Sequence, residues 1–99
     1  MATNDLFNLA NKFRTDGNLQ MAFQLWAEVL KTDPLFGAAY LNMADVFRQQ
    51  NNVIAEKDHL NKFLDCPLTG RTLTIVPQVA TRIAEIEKTA PIQIIQIPK

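Results

Sequence analysis

The chain contains a single cysteine, Cys66, and this scarcity excludes a framework of intrachain disulfides. An excess of either charge is also missing, because ten basic residues balance ten acidic ones and neither forms a long run. Without a net field to attract phosphates, nucleic-acid binding is not expected. No stretch approaches the ~18–20 apolar residues that cross a bilayer, so we also expect no membrane span.

Further absences concern targeting and chemistry. The opening residues, MATNDLF, lack the basic head and apolar stretch of a secretory signal, so a cytoplasmic location is expected. There is no glycine-rich phosphate loop, and no acidic residue pairs with a base at a diagnostic spacing. His59 lacks a second ligand at metal spacing and is expected at the surface, while Cys66 is expected to be a buried or loop thiol. We therefore predict no catalytic activity, cofactor or metal.

What the chain does contain is enough apolar material for a core. Hydrophobic residues make up 47% of the 99 residues and charged residues 20%, which is typical of a globular protein. A chain of this length buries only roughly 60–70% of its unfolded surface, so one small domain is predicted.

A repeat runs through the first two thirds of the sequence. Shifted by 34 positions, apolar residues of the first segment fall on apolar residues of the second. In each copy they recur at three- and four-residue steps, and a turn separates the two stripes, which predicts a pair of helices per copy. Matched pairs include Leu9 with Met43, Ala10 with Ala44, Phe13 with Phe47, Trp26 with Leu60, and Leu30 with Leu64.

Turn and cap signals set the helix boundaries. In the first copy, Thr3 or Asn4 can cap the opening helix, and Gly17 supplies the permissive backbone that ends it. In the second copy, Asn51 takes the place of Gly17, because asparagine is the next best residue for a left-handed C-terminal cap. Asn52 can then cap the following helix.

These residues resemble the tetratricopeptide repeat, a helix-turn-helix unit of 34 residues. The family signature places a large residue, a leucine, a small residue and an aromatic in the first helix, a small residue and an aromatic in the second, and then a proline. In the first copy, every position is filled, by Leu6, Leu9, Ala10, Phe13, Ala22, Trp26 and Pro34. In the second copy, the matching residues are Tyr40, Met43, Ala44, Phe47 and Pro67.

The second copy departs from the signature at one position. Without a gap, Glu56 stands where the small residue belongs, and with a one-residue deletion at the turn Ala55 fills it. The ungapped register is preferred because it keeps Val53, Leu60 and Phe63 on one stripe.

The last third carries one more helical pattern and an unusual end. In IVPQVATRIAEIEK, apolar residues recur at helical steps, with Gln78, Arg82, Glu85 and Lys88 outward. Pro77 is tolerable only in a first turn, which predicts a start near Thr74. The final ten residues, APIQIIQIPK, set four isoleucines among glutamines, a composition that favours an extended segment.

The predicted fold is therefore all-α. Two TPR-like helical hairpins stack as a short right-handed solenoid, and a capping helix and an extended tail follow. The repeat region covers residues 1–67, and its two hairpins occupy about 3–34 and 37–67. It is followed by a loop at 68–74, the capping helix at 75–89 and the tail at 90–99.

The resemblance implies a non-catalytic interaction module that binds a peptide or helix of a partner protein. The partner would lie in the concave groove lined by the first helix of each pair, with Phe7 and Leu41 as apolar anchors. The predicted groove residues are Asn4, Phe7, Asn8, Asn11, Arg14, Ala38, Leu41, Asn42, Asp45 and Arg48.

Some family members grip a terminal carboxylate of a peptide with lysines, asparagines and an arginine spread over three repeats. Asn11 and Asn42 resemble the two asparagines, but Phe7 stands in place of the first lysine and no third repeat supplies the rest. A carboxylate needs charged donors to offset its desolvation, which argues against this clamp.

Other interpretations stay open. The tail either folds back along the helices or docks on another chain, through Ile92, Ile94, Ile95 and Ile97. In the latter case the protein is a small structural subunit of a larger complex or a homo-oligomer. A DNA-reading helix-turn-helix is disfavoured, because the second helices carry little surplus positive charge.

Overall fold

The computed structural model describes residues 2–68 and 70–89, and every regular element within these ranges is an α-helix. The predicted all-α class is confirmed. No helix in the described ranges has the length and apolar character needed to span a membrane. The tail predicted at 90–99 lies outside the described residues. The helices are α1 (Thr3–Thr15), α2 (Leu19–Thr32), α3 (Gly37–Gln49), α4 (Val53–Leu64) and α5 (Gly70–Thr89).

The first hairpin pairs α1 with α2. Gly17 adopts a φ of 87° at the turn, and the side chain of Asn18 caps α2 by accepting a hydrogen bond from the Met21 amide. The prediction that Thr3 or Asn4 caps α1 is wrong. The amide of Leu6 donates to the carbonyl of Ala2, so the first turn already encloses both residues, and the cap position falls on Ala2, which has no capping side chain.

The second hairpin pairs α3 with α4. Asparagine lies at both positions predicted for its turn, the left-handed residue after α3 and the cap of α4. Asn51 adopts a φ of 59°, the left-handed conformation that Gly17 adopts in the first hairpin. The side chain of Asn52 caps α4 by accepting a hydrogen bond from the Ala55 amide at 3.2 Å. Both predictions are confirmed.

The fifth helix is longer than predicted. It begins at Gly70, so a loop over 68–74 is wrong, and Pro77 lies inside the helix instead of in its first turn. Proline removes the amide that would bind the carbonyl of Leu73. Leu73 and Pro77 are both exposed, one turn apart on the outer face, so water can take the hydrogen bond that the helix loses.

In the described part of the chain, the buried apolar residues form two clusters, one centred on each hairpin. Trp26 and Leu60, which stand 34 residues apart, are both fully buried. Trp26 belongs to the first cluster, formed by the first hairpin with residues of α3. Leu60 belongs to the second, which α5 completes with Val79 and Ile86. Because α5 packs mainly on α4, it covers an apolar side of the second hairpin.

Candidate binding surface

The predicted groove residues do not form one surface but fall into three groups. Three of them, Asn11, Arg14 and Asn42, line one depression of about 550 Å³ that we call the α1–α3 hollow. Thr15, Leu19 and Gln49 complete its lining and were not predicted. Thr15 and Gln49 directly follow Arg14 and Arg48, so a wider helical stripe would have included them.

Asn11 is held in one orientation by a chain of hydrogen bonds. The indole Nε1 of Trp26 donates to Asn11 Oδ1 at 3.1 Å, and Nδ2 of Asn42 donates to the same oxygen at 2.7 Å. Because an indole N–H can only donate, the oxygen of Asn11 must face Trp26. The Nδ2 group of Asn11 is then left as a donor, and it bonds to no residue of the described part of the chain.

Among the described residues that line this hollow, Arg14 alone carries a formal charge. No carboxylate within the described ranges forms an ion pair with it. The hydroxyl of Thr15, in contrast, is used internally, because it donates to the Asn11 carbonyl at 3.0 Å. The hollow therefore presents a guanidinium and an amide donor, which suit carbonyl or carboxylate oxygens of a bound chain.

The predicted anchor Phe7 is half-buried. Its ring centroid lies 5.0 Å from that of Phe36, and it packs against the first core cluster. Asn4 and Asn8, on the same helix, are exposed. Phe7 thus contributes to the fold of the first hairpin as well as to its surface.

The remaining predicted groove residues lie towards α5. Ala38 and Leu41 line an apolar hollow of about 250 Å³ beside Ile75. Arg48 is exposed and lines a separate depression of about 400 Å³ that Ile86 also lines.

Asp45 binds Arg82, a residue predicted to point outward. Nη1 of Arg82 lies 2.9 Å from Asp45 Oδ1, and Nη2 lies 2.8 Å from Glu56 Oε2. Glu56 is 3% exposed and occupies the buried position, while Ala55 is only half-buried. A buried acidic residue on an otherwise apolar helix stripe needs a cation beside it. The position of Glu56 on such a stripe could therefore have indicated that a basic residue is buried next to it. The outward assignment of Arg82 is therefore wrong.

His59 and Cys66 have structural surroundings. His59, predicted at the surface, is half-buried, with its ring 4.9 Å from that of Phe47 and Nδ1 2.9 Å from the Ala55 carbonyl oxygen. Within residues 2–68 and 70–89 no cluster of three potential ligands that could hold a metal is found.

The Cys66 thiol is buried, as predicted, and donates to the Lys62 carbonyl at 3.3 Å. Burial raises its pKa above the usual value, and the carboxylates of Asp65 and Asp33 raise it further. The protonated thiol is a poor nucleophile.

Comparison of the chain with protein-family models and with curated proteins gave no match. The resemblance to the tetratricopeptide repeat therefore depends on the residues and their spacing.

Proposed function

We propose that this protein is a non-catalytic interaction module whose α1–α3 hollow binds a peptide or helix of another protein. The observation that carries the proposal is Arg14, which forms no ion pair within residues 2–68 and 70–89, beside an Asn11 amide that Trp26 holds in place. A partner backbone carbonyl or carboxylate would accept hydrogen bonds from both groups.

Preorganisation favours such a contact. The Asn11 amide is already oriented by two hydrogen bonds, so binding would not have to order it. Asn42 belongs to the neighbouring hairpin, so the hollow spans both hairpins and a bound chain would contact both. The residues of the described ranges that line the hollow include no histidine, cysteine or carboxylate, and this composition suits binding better than acid–base or nucleophilic catalysis.

The proposal includes a stacked, TPR-like arrangement of the two hairpins. It is supported by the burial of residues 34 positions apart: Ala10 and Ala44 are both fully buried, as are Trp26 and Leu60. Stacked hairpins of this kind leave a concave side lined by their first helices, here α1 and α3.

Selection from a random peptide library on the immobilised chain tests the proposal for a partner of any sequence. Arg14→Glu should abolish binding of the selected peptides, because it reverses the charge in the hollow. Lys12→Glu is the matched control, since Lys12 is an exposed cation in the same last turn of α1 and does not line the hollow. Equal binding by both variants, or no enrichment of peptides, would reject the hollow as the binding site.

A further inference from the structure

The helices α1 and α3 run in the same direction. Nδ2 of Asn42 in α3 donates a hydrogen bond to Oδ1 of Asn11 in α1. One turn further along α1, Thr15 lines the α1–α3 hollow together with Gln49, the last residue of α3. Because residues later in α1 lie beside residues later in α3, the C-terminal ends of the two helices lie side by side.

Helices α3 and α5 also run in the same direction. Leu41 of α3 and Ile75 of α5 line one hollow. Arg48 and Lys88, which come later in the same two helices, line another. The C-terminal ends of α1, α3 and α5 are therefore found at one edge of the protein.

Each of these three ends carries a basic residue in its last turn. The residues are Arg14 in α1, Arg48 in α3 and Lys88 in α5, and we call their row the basic edge. The helix dipole favours a cation at each end, but it supplies no counter-ion. None of the three cations forms an ion pair with a carboxylate of residues 2–68 and 70–89. The basic edge can therefore bind an anionic group of a partner.

The carboxylates near the basic edge do not cancel its charge. None is found among the described residues that line the α1–α3 hollow, and Asp16, just after α1, does not line it. Arg82 is bound by Glu56 and by Asp45, so it takes no part in this balance. Glu85 then stands against two cations, and positive charge remains in excess. The charged residues that line the depression of about 400 Å³ described above are Arg48, Glu56, Arg82, Glu85 and Lys88.

We propose that the basic edge binds an acidic segment of another protein, with one Asp or Glu side chain in the α1–α3 hollow at Arg14 and another at Arg48. An arginine binds a carboxylate through two parallel hydrogen bonds, and the amide of Asn11 adds a donor in the hollow. Cations at two successive hairpins need two carboxylates, which acidic side chains supply and a single chain terminus does not. The inference rests on the proposed function and names the chemistry of its partner.

The first part of the test uses the peptides selected from the random library on the immobilised chain. These peptides should contain more Asp and Glu than the unselected library. The tightest of them is compared with a copy in which every Asp and Glu is replaced by Asn or Gln, and with a copy whose C-terminus is amidated. The neutral copy should bind at least about tenfold more weakly, since it loses charge-assisted hydrogen bonds. The amidated copy should bind as tightly as the original peptide.

The second part of the test changes the protein. Arg48→Gln should weaken binding of the tightest peptide by about tenfold, measured by fluorescence anisotropy of the labelled peptide. Lys12→Gln is the matched control, because it also removes a cation from the last turn of a helix, and Lys12 does not line either hollow. Added salt should weaken binding to the native chain more than binding to Arg48→Gln, because salt screens the attraction between the charges.

The outcomes separate this inference from the proposed function. Selected peptides that need Arg14 but show no excess of Asp and Glu, or that bind Arg48→Gln as tightly as the native chain, would overturn the acidic partner and leave the interaction module in place. Loss of binding on amidation would assign the contact to a chain terminus and would also overturn the inference. No enrichment of peptides would overturn both proposals.

Discussion

Arg82 of α5 binds Glu56 of α4 inside the second hairpin, with Nη2 2.8 Å and Nε 3.3 Å from the same carboxylate oxygen. Glu56 stands at the position where the repeat signature has a small residue, and it is 3% exposed. Its charge is stabilised by a residue 26 positions away, on the helix that covers the hairpin. The ion pair therefore ties α5 to the repeat region.

Replacing Arg82 with alanine should strongly destabilise the protein. The change leaves Glu56 charged and buried without its partner, a situation that costs about 3–5 kcal/mol in the free energy of unfolding. Small domains have only about 5–15 kcal/mol in total. Urea unfolding followed by circular dichroism measures the difference.

The double variant Glu56→Met with Arg82→Leu is the control for this prediction. It replaces both charges with apolar groups of similar size, and such replacements of buried pairs are often neutral or stabilising. Stability of the double variant as low as that of Arg82→Ala would show that the loss does not come from an uncompensated Glu56.

Removal of the Asn11 side chain should also destabilise the fold. Trp26 is fully buried, and Asn11→Ala leaves its indole N–H without an acceptor, which costs about 1–3 kcal/mol. Asn42→Ala should cost less, because Asn42 is only half-buried and Asn11 keeps its bond from Trp26. Thermal unfolding compares the stability of the two variants. An equal loss of stability in both would contradict the prediction that the hydrogen bond from Trp26 to Asn11 matters more than the one from Asn42.

Replacement of Pro77 with alanine should stabilise α5. Alanine restores the amide that can bind the Leu73 carbonyl, and proline inside a helix is about 3 kcal/mol less favourable than alanine. Pro77 is exposed, so the change removes no core packing. A higher midpoint of thermal unfolding is expected. Ala84→Pro, at another exposed position of α5, serves as the opposite control and should lower the midpoint. An unchanged or lowered midpoint for Pro77→Ala would contradict this account of α5.

Cys66 should make stability fall at alkaline pH. Its folded-state pKa is raised by burial and by Asp65 and Asp33, so the folded chain keeps the proton that the unfolded chain loses. The stabilising contribution is complete below the unfolded pKa of about 8.5, and it declines above it by up to about 1.4 kcal/mol per pH unit. Unfolding of the native protein and Cys66→Ser between about pH 7 and 10, a range that brackets the unfolded pKa, measures this decline. Parallel pH profiles of stability for the two chains would show that the Cys66 thiol does not cause the decline.

The hairpin turns could be predicted from the sequence because their signals are local. Gly17 and Asn51 adopt positive φ angles, and Asn52 caps the helix that follows it, as expected from residue type alone. The start of α5 could not be predicted in the same way. The local penalty of Pro77 is real, but α5 remains helical through it while Val79 and Ile86 pack on the second hairpin.

For the candidate surface too, the local sequence pattern predicted some features and the packing of separate helices decided others. Residue spacing placed Asn11, Arg14 and Asn42 on helix faces that meet in one hollow, because positions 34 apart fall at equivalent places in two similar hairpins. It could not reveal that Leu41 and Asp45 face α5, since this depends on how a third element packs.

Sequence alone therefore determined the presence of the helices, the turns at Gly17 and Asn51 and the cap at Asn52, because these follow from interactions within a few residues. It did not determine the start of α5 or the cap of α1. The tertiary structure decided how Glu56 is accommodated, which way Arg82 points and how Asn11 is oriented. Each of these depends on a partner 15 to 37 positions away, which only the packing of separate helices brings within hydrogen-bonding distance.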